Sequence, residues 1–300
     1  MKILITGASG QLGNELRRLL KTGTAEIGPI SEAYADASVA YTDADALDIT
    51  DQDALNAFVE EYAPDIIINC AALTNVDGCE TQEDLAFAIN TMGPANLAHA
   101  AKKVGAKLIQ VSTDYVFSGS VPGVRSEHDE VGPISAYGRT KLAGERAVQE
   151  ALDEHFIVRT AWLYGYVGKN FVKTMLKLAE DHDRVIVVDD QFGNPTSAND
   201  LAYEILSLAL TDNYGIYHIT NEGTCSWADF AEAIMEGAQT GCDVERCTSA
   251  EYKQMNPASA DRPTYSSLEN AHLKATIGNE MRPWQEALST YLDNYDRLAD

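Results

Sequence analysis

Two side chains near the middle of the chain could handle a proton. In Ser135-Ala-Tyr-Gly-Arg-Thr-Lys141 a phenol and an ammonium stand four residues apart, so on a helix Tyr137 and Lys141 share one face and can converge on one ligand. A tyrosine hydroxyl titrates at about pH 10 unaided, and a neighbouring cation favours its ionised form. The expectation is a phenol whose pKa is lowered towards the working pH, making it a usable proton donor. Upstream, Val111-Ser-Thr-Asp-Tyr-Val-Phe117 places hydroxyls and a carboxylate directly after a run that reads as a buried strand. In a doubly wound sheet, ligands lie beyond the carboxyl ends of the strands, which puts Ser112, Thr113 and Asp114 at the rim of a site where a hydroxyl can donate to a carbonyl oxygen. Serine and threonine at a strand end also start turns, and only the company of Tyr137 and Lys141 favours the chemical reading.

A third feature could hold an anion. Gly7-Ala-Ser-Gly10-Gln-Leu-Gly13 follows the apolar run Lys2–Thr6 and opens a helix. Glycine permits backbone angles and close approaches that a side chain would block, so a pyrophosphate can sit against the amides at the helix start. The spacing is GxxGxxG rather than the GxGxxG of the better-known dinucleotide fingerprint. In that fingerprint an acidic residue about 20 positions further on holds the adenosine ribose. Here residues 21–40 read as an insertion or a long connection, and the candidate acids, Asp43 and Asp48, come later. Asp48 is preferred for the adenine end, with capping of a helix that begins near Asp51 as its structural alternative.

The elements needed to position these groups alternate along the chain. After the strand Lys2–Thr6 comes an amphipathic helix over 14–20, with Leu16, Leu19 and Leu20 on one face. Helices near 51–61 and 83–103, strands at 65–69 and 107–111, the helix carrying Lys141 and the strand His155–Thr160 repeat the pattern. Continuous apolar strands between helices indicate an α/β fold, a Rossmann-like doubly wound parallel sheet covered on both faces. Residues 1–160 would form this dinucleotide-binding unit. Residues 161–300 read mainly as a smaller C-terminal substrate-binding lobe, with segments at about 185–220 returning to the sheet. Helices are expected there at 171–180, 198–210, 227–236 and Trp284–Leu298, punctuated by Pro195, Pro257, Pro263 and Pro283.

Composition narrows the partners. With 45% hydrophobic residues, the 300-residue chain can bury a sizeable core. Its net charge of −24 would repel a phosphate backbone, which disfavours nucleic acid as a partner. Any anionic ligand must then be held by local devices, and Lys169, Asn170 and Arg262 are candidates for gripping a diphosphate. The N-terminal apolar run is too short for a signal peptide or a membrane span, so a soluble cytoplasmic protein is expected. Cys70, Cys79, Cys225, Cys242 and Cys247 form no CxxC pair, which argues against disulfides and zinc. No carboxylate cluster can be assigned to a metal.

GxxGxxG after the first strand, Cys70-Ala-Ala-Leu-Thr-Asn-Val-Asp77, Ser112-Thr-Asp-Tyr-Val-Phe117 and Tyr137-x-x-x-Lys141 together resemble the extended short-chain dehydrogenase/reductase superfamily. Within it, Arg159-Thr-Ala-Trp-Leu-Tyr-Gly165, Asp190-Gln-Phe-Gly-Asn-Pro-Thr196 and Arg262-Pro-Thr are similar to dTDP-4-dehydrorhamnose reductases, over nearly the whole chain. The resemblance implies reduction of the C4 ketone of dTDP-4-dehydro-L-rhamnose to dTDP-L-rhamnose with NADPH, or with NADH as the alternative. Tyr137 would donate the proton, Lys141 would lower its pKa and grip the nicotinamide ribose, and Thr113 would hydrogen-bond the reacting carbonyl. The cofactor would contact Gly7, Gly10, Gln11 and Leu12 in the turn, Asp48 and Ile49, then Ala71, Ala72 and Thr74, besides Tyr137 and Lys141. The dTDP-sugar would meet Thr74, Val76, Thr113, Asp114 and Tyr115, with Trp162 offering an indole face to thymine, and Asn170 and Arg262 beyond. The arginine segment and Cys70 depart from the usual pattern. A monomer and a homodimer both remain open. Two other readings stand beside this one: a nucleotide-sugar epimerase or dehydratase, which retains its cofactor, and a non-catalytic regulatory subunit such as the methionine adenosyltransferase beta subunits. Intact Thr113, Tyr137 and Lys141 argue against the latter.

Overall fold

The computed structural model describes residues 1–298. Six short runs become one parallel sheet: β1 (Lys2–Thr6), β2 (Ser38–Thr42), β3 (Ile66–Asn69), β4 (Lys107–Thr113), β5 (His155–Thr160) and β6 (Gly215–His218), in the order β6-β5-β4-β3-β1-β2. The longer helices are α1 (Gln11–Thr22), α2 (Gln52–Tyr62), α3 (Gly93–Val104), α4 (Ala136–Ala151), α5 (Phe171–Asp181), α6 (Ala198–Ala209), α7 (Trp227–Gly237) and α8 (Trp284–Leu298). Successive strand side chains point to opposite faces, so each strand feeds two cores. Ile3, Ile5, Ile66, Ile68, Ile109 and Phe156 pack under α1 and α6, whereas Leu4, Ile67, Leu108 and Ile157 pack under α2, α3 and α4. Runs buried on both sides explain why these strands read as continuously apolar. The chain is thus an α/β protein with a Rossmann-like, doubly covered sheet.

Strand order reverses between β1 and β3, which opens a crevice beyond their carboxyl ends. A polar ladder ties these ends together: Thr6 Oγ1 donates to Asn69 Oδ1 at 2.6 Å and Asn69 Nδ2 to Gln110 Oε1 at 2.7 Å. All three are buried, so the crevice floor is held rigidly by satisfied polar groups.

Two expectations change. Residues 21–40 are not merely a long connection, because they lead into the edge strand β2, paired with β1 from Lys2↔Ser38 to Thr6↔Thr42. Ser38-Val-Ala-Tyr-Thr42 is only half-buried over most of its length, and so lacks the apolar run that marks the central strands. The helix expected over 83–103 is broken: Glu83–Phe87 is α-helical, Ala88–Met92 forms a π-turn, and α3 follows. The wider turn carries Asn90, whose side chain accepts from Leu73 N at 2.8 Å and donates to Leu73 O at 3.1 Å, pinning the segment after β3.

The second core gathers Tyr164, Val172, Phe230, Trp284 and Tyr291 among α5, α7 and α8. Arg184–Val188 pairs in parallel with Asp243–Cys247 within this lobe, whereas α6 and β6 join the large sheet. The five cysteines are free thiols, and among the described residues no helix is long and apolar enough to cross a membrane.

Candidate active site

A cleft of about 890 Å³ lies beyond the carboxyl ends of β1, β3, β4 and β5, closed on its far side by the lobe. Its floor is the glycine turn. Gly7 has φ 65°, and a Cβ there would fall 2.6 Å from the Ala71 backbone nitrogen, so only glycine lets the turn nest against the end of β3. Gly10 caps α1 without any side-chain hydrogen bond, and the first turn holds no acidic residue. By contrast Asp51, Ser135, Asn170, Ser197 and Ser226 cap α2, α4, α5, α6 and α7 with their side chains. The uncapped amides facing the cleft fit a pyrophosphate, whose charge the helix dipole favours. Of the residues lining the cleft, only Lys141 and Lys169 carry a full positive charge.

Both candidate acids for the ribose end line the cleft. Asp43 directly follows β2 and accepts from Ser9 N at 3.0 Å and Ser9 Oγ at 2.9 Å, tying the glycine turn to the edge strand. Asp48 Oδ1 accepts from Thr50 N and Oγ1, both at 2.8 Å. Asp51, not Asp48, caps α2. Gln11, Leu12, Ile49, Ala71, Ala72, Thr74 and Val76 complete this side of the wall.

The proton-handling groups meet above β4. Ser135 caps α4, its Oγ accepting from Gly138 N at 3.2 Å. A Cβ on Gly138 would lie 2.2 Å from Tyr115 O, so the glycine lets the helix start approach the turn after β4. This brings Tyr137 onto the same cleft wall as Thr113 and edge-on to Tyr115, with ring centroids 5.7 Å apart. Thr113 Oγ1 donates to Asp114 Oδ1 at 2.9 Å and accepts from Tyr115 N at 3.2 Å. Lys141 lines the same wall, but its Nζ donates to Val111 O at 2.7 Å.

Tyr137 is pushed above the usual tyrosine range, first by burial and then by the negative charge of Asp114, with the Thr113 hydroxyl opposing. Burial lowers Lys141 itself to about 8, against the pull of Glu145. Helical spacing places two side chains on one face but does not say how dry that face is.

Two expected ligand residues stand off the cleft wall. Asn170 caps α5 and donates to Gln11 Oε1 at 2.9 Å and to Gly165 O at 2.8 Å, buttressing the wall from behind. Arg262 pairs with Asp77 at 3.0 Å and donates to Ala260 O. Trp162 does line the cleft, yet at φ 46° it is stacked on Trp227 with centroids 3.5 Å apart and planes 8° from parallel. One indole face is therefore covered by another. Sequence reasoning missed Trp227 as a wall residue, and its place in Cys225-Ser-Trp-Ala-Asp229 carries only a helix-cap signal. It also missed the buried pair Glu145 and Arg159 behind Lys141, 2.7 Å apart. Among the described residues no cluster of three or more His, Cys, Asp or Glu is placed to hold a metal.

This geometry has close counterparts. The chain resembles a crystal structure of a dTDP-4-dehydrorhamnose reductase from Clostridium acetobutylicum ATCC 824, with TM-score 0.92, 48% identity, and 99% of this chain and 100% of that one covered. A dTDP-4-dehydrorhamnose reductase from Bacillus anthracis str. Ames, solved in complex with NADP, aligns with TM-score 0.89 and 40% identity over 98% of this chain and 99% of that one. The dTDP-4-dehydrorhamnose reductase of Streptomyces griseus is 42% identical over 299 residues, covering 95% of this chain and 91% of the relative. Residues 1–297 match the family model described as the RmlD substrate binding domain. The chain belongs to this family.

In this member of the RmlD substrate binding domain family, burial opposes the charge of Lys141, and that has a measurable cost. Lys141 binds its proton less tightly folded than unfolded. Below pH 8 both states hold the proton and the folded state bears the whole desolvation penalty; between pH 8 and about 10.5 the folded state releases it first, so stability rises with pH through that window. Lys141→Met is expected to stabilise the fold by roughly 2–3 kcal/mol at pH 7 and to flatten this alkaline rise. Urea denaturation of both proteins at pH 7 and pH 10 checks it; an unchanged or less stable variant at pH 7 contradicts it.

Proposed function

We propose that the chain reduces the C4 ketone of dTDP-4-dehydro-L-rhamnose to the alcohol of dTDP-L-rhamnose, using NADPH, with NADH as the alternative. The observation that carries this reading is that Thr113, Tyr137 and Lys141 line one wall of the same cleft as the open N-terminus of α1. The cofactor supplies the hydride when bound. The amides of Gln11 and Leu12 hold its diphosphate, and Asp43 or Asp48 takes a ribose hydroxyl. Thr113 orients the ketone oxygen. Tyr137 holds the proton at Oη and passes it to that oxygen as negative charge develops, a high-pKa phenol being matched to a strongly basic alkoxide. Lys141 supplies a cation close to the ribose and the phenol, and Lys169 meets the substrate diphosphate from the lobe side of the cleft.

Residues 1–160 serve the dinucleotide and residues 161–300 mainly the sugar nucleotide, while α6 and β6 complete the sheet. The same reading puts the protein in the cytoplasm, as a monomer or a homodimer. The test is to follow NADPH and NADH absorbance separately with the dTDP-ketosugar. One reduced cofactor consumed per alcohol formed is expected. Purified protein that carries tightly bound cofactor and interconverts sugars without consuming any would favour an epimerase and sink this reading.

A further inference from the structure

Gln11 is the first residue of α1 and lines the cleft. Its amide is among those left open at the helix start, whereas its side chain is committed to the lobe. Oε1 accepts from Asn170 Nδ2 at 2.9 Å, and Nε2 donates to Leu163 O at 3.5 Å. Gly165 and Gly168 border the same side chain, a Cβ on either falling 3.5 Å from its aliphatic carbons. Asn170 in turn spends its whole amide. Its Oδ1 accepts from Lys173 N at 2.9 Å to cap α5, and Nδ2 gives one hydrogen to Gln11 and the other to Gly165 O at 2.8 Å. One side chain therefore joins the glycine turn to both ends of the stretch 165–170.

Lys169, the neighbour of Asn170, is exposed and lines the cleft. Residues 165–170 run between the short strand Leu163–Tyr164 and α5, and Gly168 at φ 73° supplies a bend that favours glycine. The direction of the Lys169 ammonium thus depends on Asn170 being held, and Asn170 is held by Gln11. Ordering this turn and its lysine costs conformational entropy, and the ligand that binds first bears that cost.

We propose that Asn170 is a positioning residue through which the two ligands of the cleft strengthen one another. Gln11, once its amide is fixed by a diphosphate, holds Asn170, and Asn170 holds Lys169 towards a second diphosphate on the lobe side. The dinucleotide then tightens binding of a nucleoside diphosphate in the lobe, and linkage requires the nucleoside diphosphate to tighten the dinucleotide by the same factor. The proposal rests on the reading above in taking a nucleoside diphosphate as the lobe's ligand.

Calorimetric titrations of the whole chain with dTDP and with NADP+, which do not react together, test it. In the parent, saturating NADP+ lowers the dTDP Kd about tenfold, and saturating dTDP lowers the NADP+ Kd by the same factor. Asn170→Asp keeps an acceptor for Lys173 N, and so keeps α5 capped, but has no hydrogen to give Gln11 or Gly165. In this variant the ratio of dTDP Kd values without and with NADP+ falls to within about twofold of one. Gln11→Met keeps the backbone amides and removes the other end of the link; it collapses the ratio equally, and the double variant goes no further. The new carboxylate also repels a diphosphate, but it does so with and without NADP+, as would a merely structural weakening of the lobe, and neither moves the ratio. A parent ratio within about twofold of one, or a ratio of about ten that survives in Asn170→Asp or Gln11→Met, overturns the coupling. A parent that binds NADP+ but no dTDP overturns the underlying reading instead, so the two failures are distinguishable.

Discussion

Tyr137→Phe is expected to lower kcat about a thousandfold while leaving NADPH affinity and the melting temperature close to those of the parent chain. The argument begins with what the substitution keeps. Phenylalanine retains the ring, its edge-on packing against Tyr115 and its contact with the cluster of Cys79, Ala86 and Ala136. It removes only a hydroxyl, and the nearby Thr113 already has Asp114 and Tyr115 N as partners. No buried partner is orphaned, so stability changes little. What disappears is the positioned proton. General acid catalysis contributes typically 10²–10⁴-fold, and the middle of that range corresponds to about 4 kcal/mol in the barrier. The glycine turn, α1 and Asp43 are untouched, so cofactor titration followed by nicotinamide fluorescence should give a Kd within about threefold of the parent. A variant that turns over at the parent rate would remove Tyr137 from the chemistry. One that loses cofactor affinity in step with kcat would make the phenol a binding group instead.

Much of the fold was legible because the forces that shape it are local. Alternation of apolar runs with amphipathic stretches marks β1, β3, β4, β5 and their helices, since both faces of the central strands are buried. The edge strand β2 escaped because an edge is half wet and carries no such run. The glycine turn and the shared cleft wall of Tyr137 and Lys141 could also be read, because close backbone approach and helical geometry are written in short spacings. Burial is not. The direction of the Tyr137 pKa depends first on burial and then on neighbours brought in from other segments, the charges of Asp114 and Cys79 raising it. The places of Asn170 and Arg262 off the cleft wall were not legible for a similar reason: their partners, Gln11 and Asp77, lie 159 and 185 positions away. Their types suited an anion, but the fold spends them on holding distant segments together.

Glu145→Ala is expected to destabilise the protein by about 3–5 kcal/mol, a large share of the 5–15 kcal/mol typical of a folded domain. Glu145 sits on α4 one turn after Lys141, with 1% of its side chain exposed, and Arg159 on β5 has 3% exposed. Arg159 Nε donates to Oε1 at 3.0 Å and Nη2 to Oε2 at 2.7 Å, while Ser112 Oγ on β4 donates to Oε1 at 2.5 Å. One carboxylate thus fastens a helix to two strands. Removing it strands a buried guanidinium whose Nη1 already lacks a partner, and the charge finds no water there. Glu145→Leu with Arg159→Met should recover most of the loss, because a buried ion pair replaced by apolar side chains of similar volume is often near neutral. Urea denaturation of the single and double variants checks both statements; a single variant losing under about 1 kcal/mol would mean the pair is not dry. The double variant also reaches the active site. Glu145 is the negative neighbour that raises the Lys141 pKa against burial, so without it that pKa falls below about 8. Any alkaline loss of turnover that reports on the Lys141 ammonium should then move to lower pH, in a protein that has recovered most of the parent's stability.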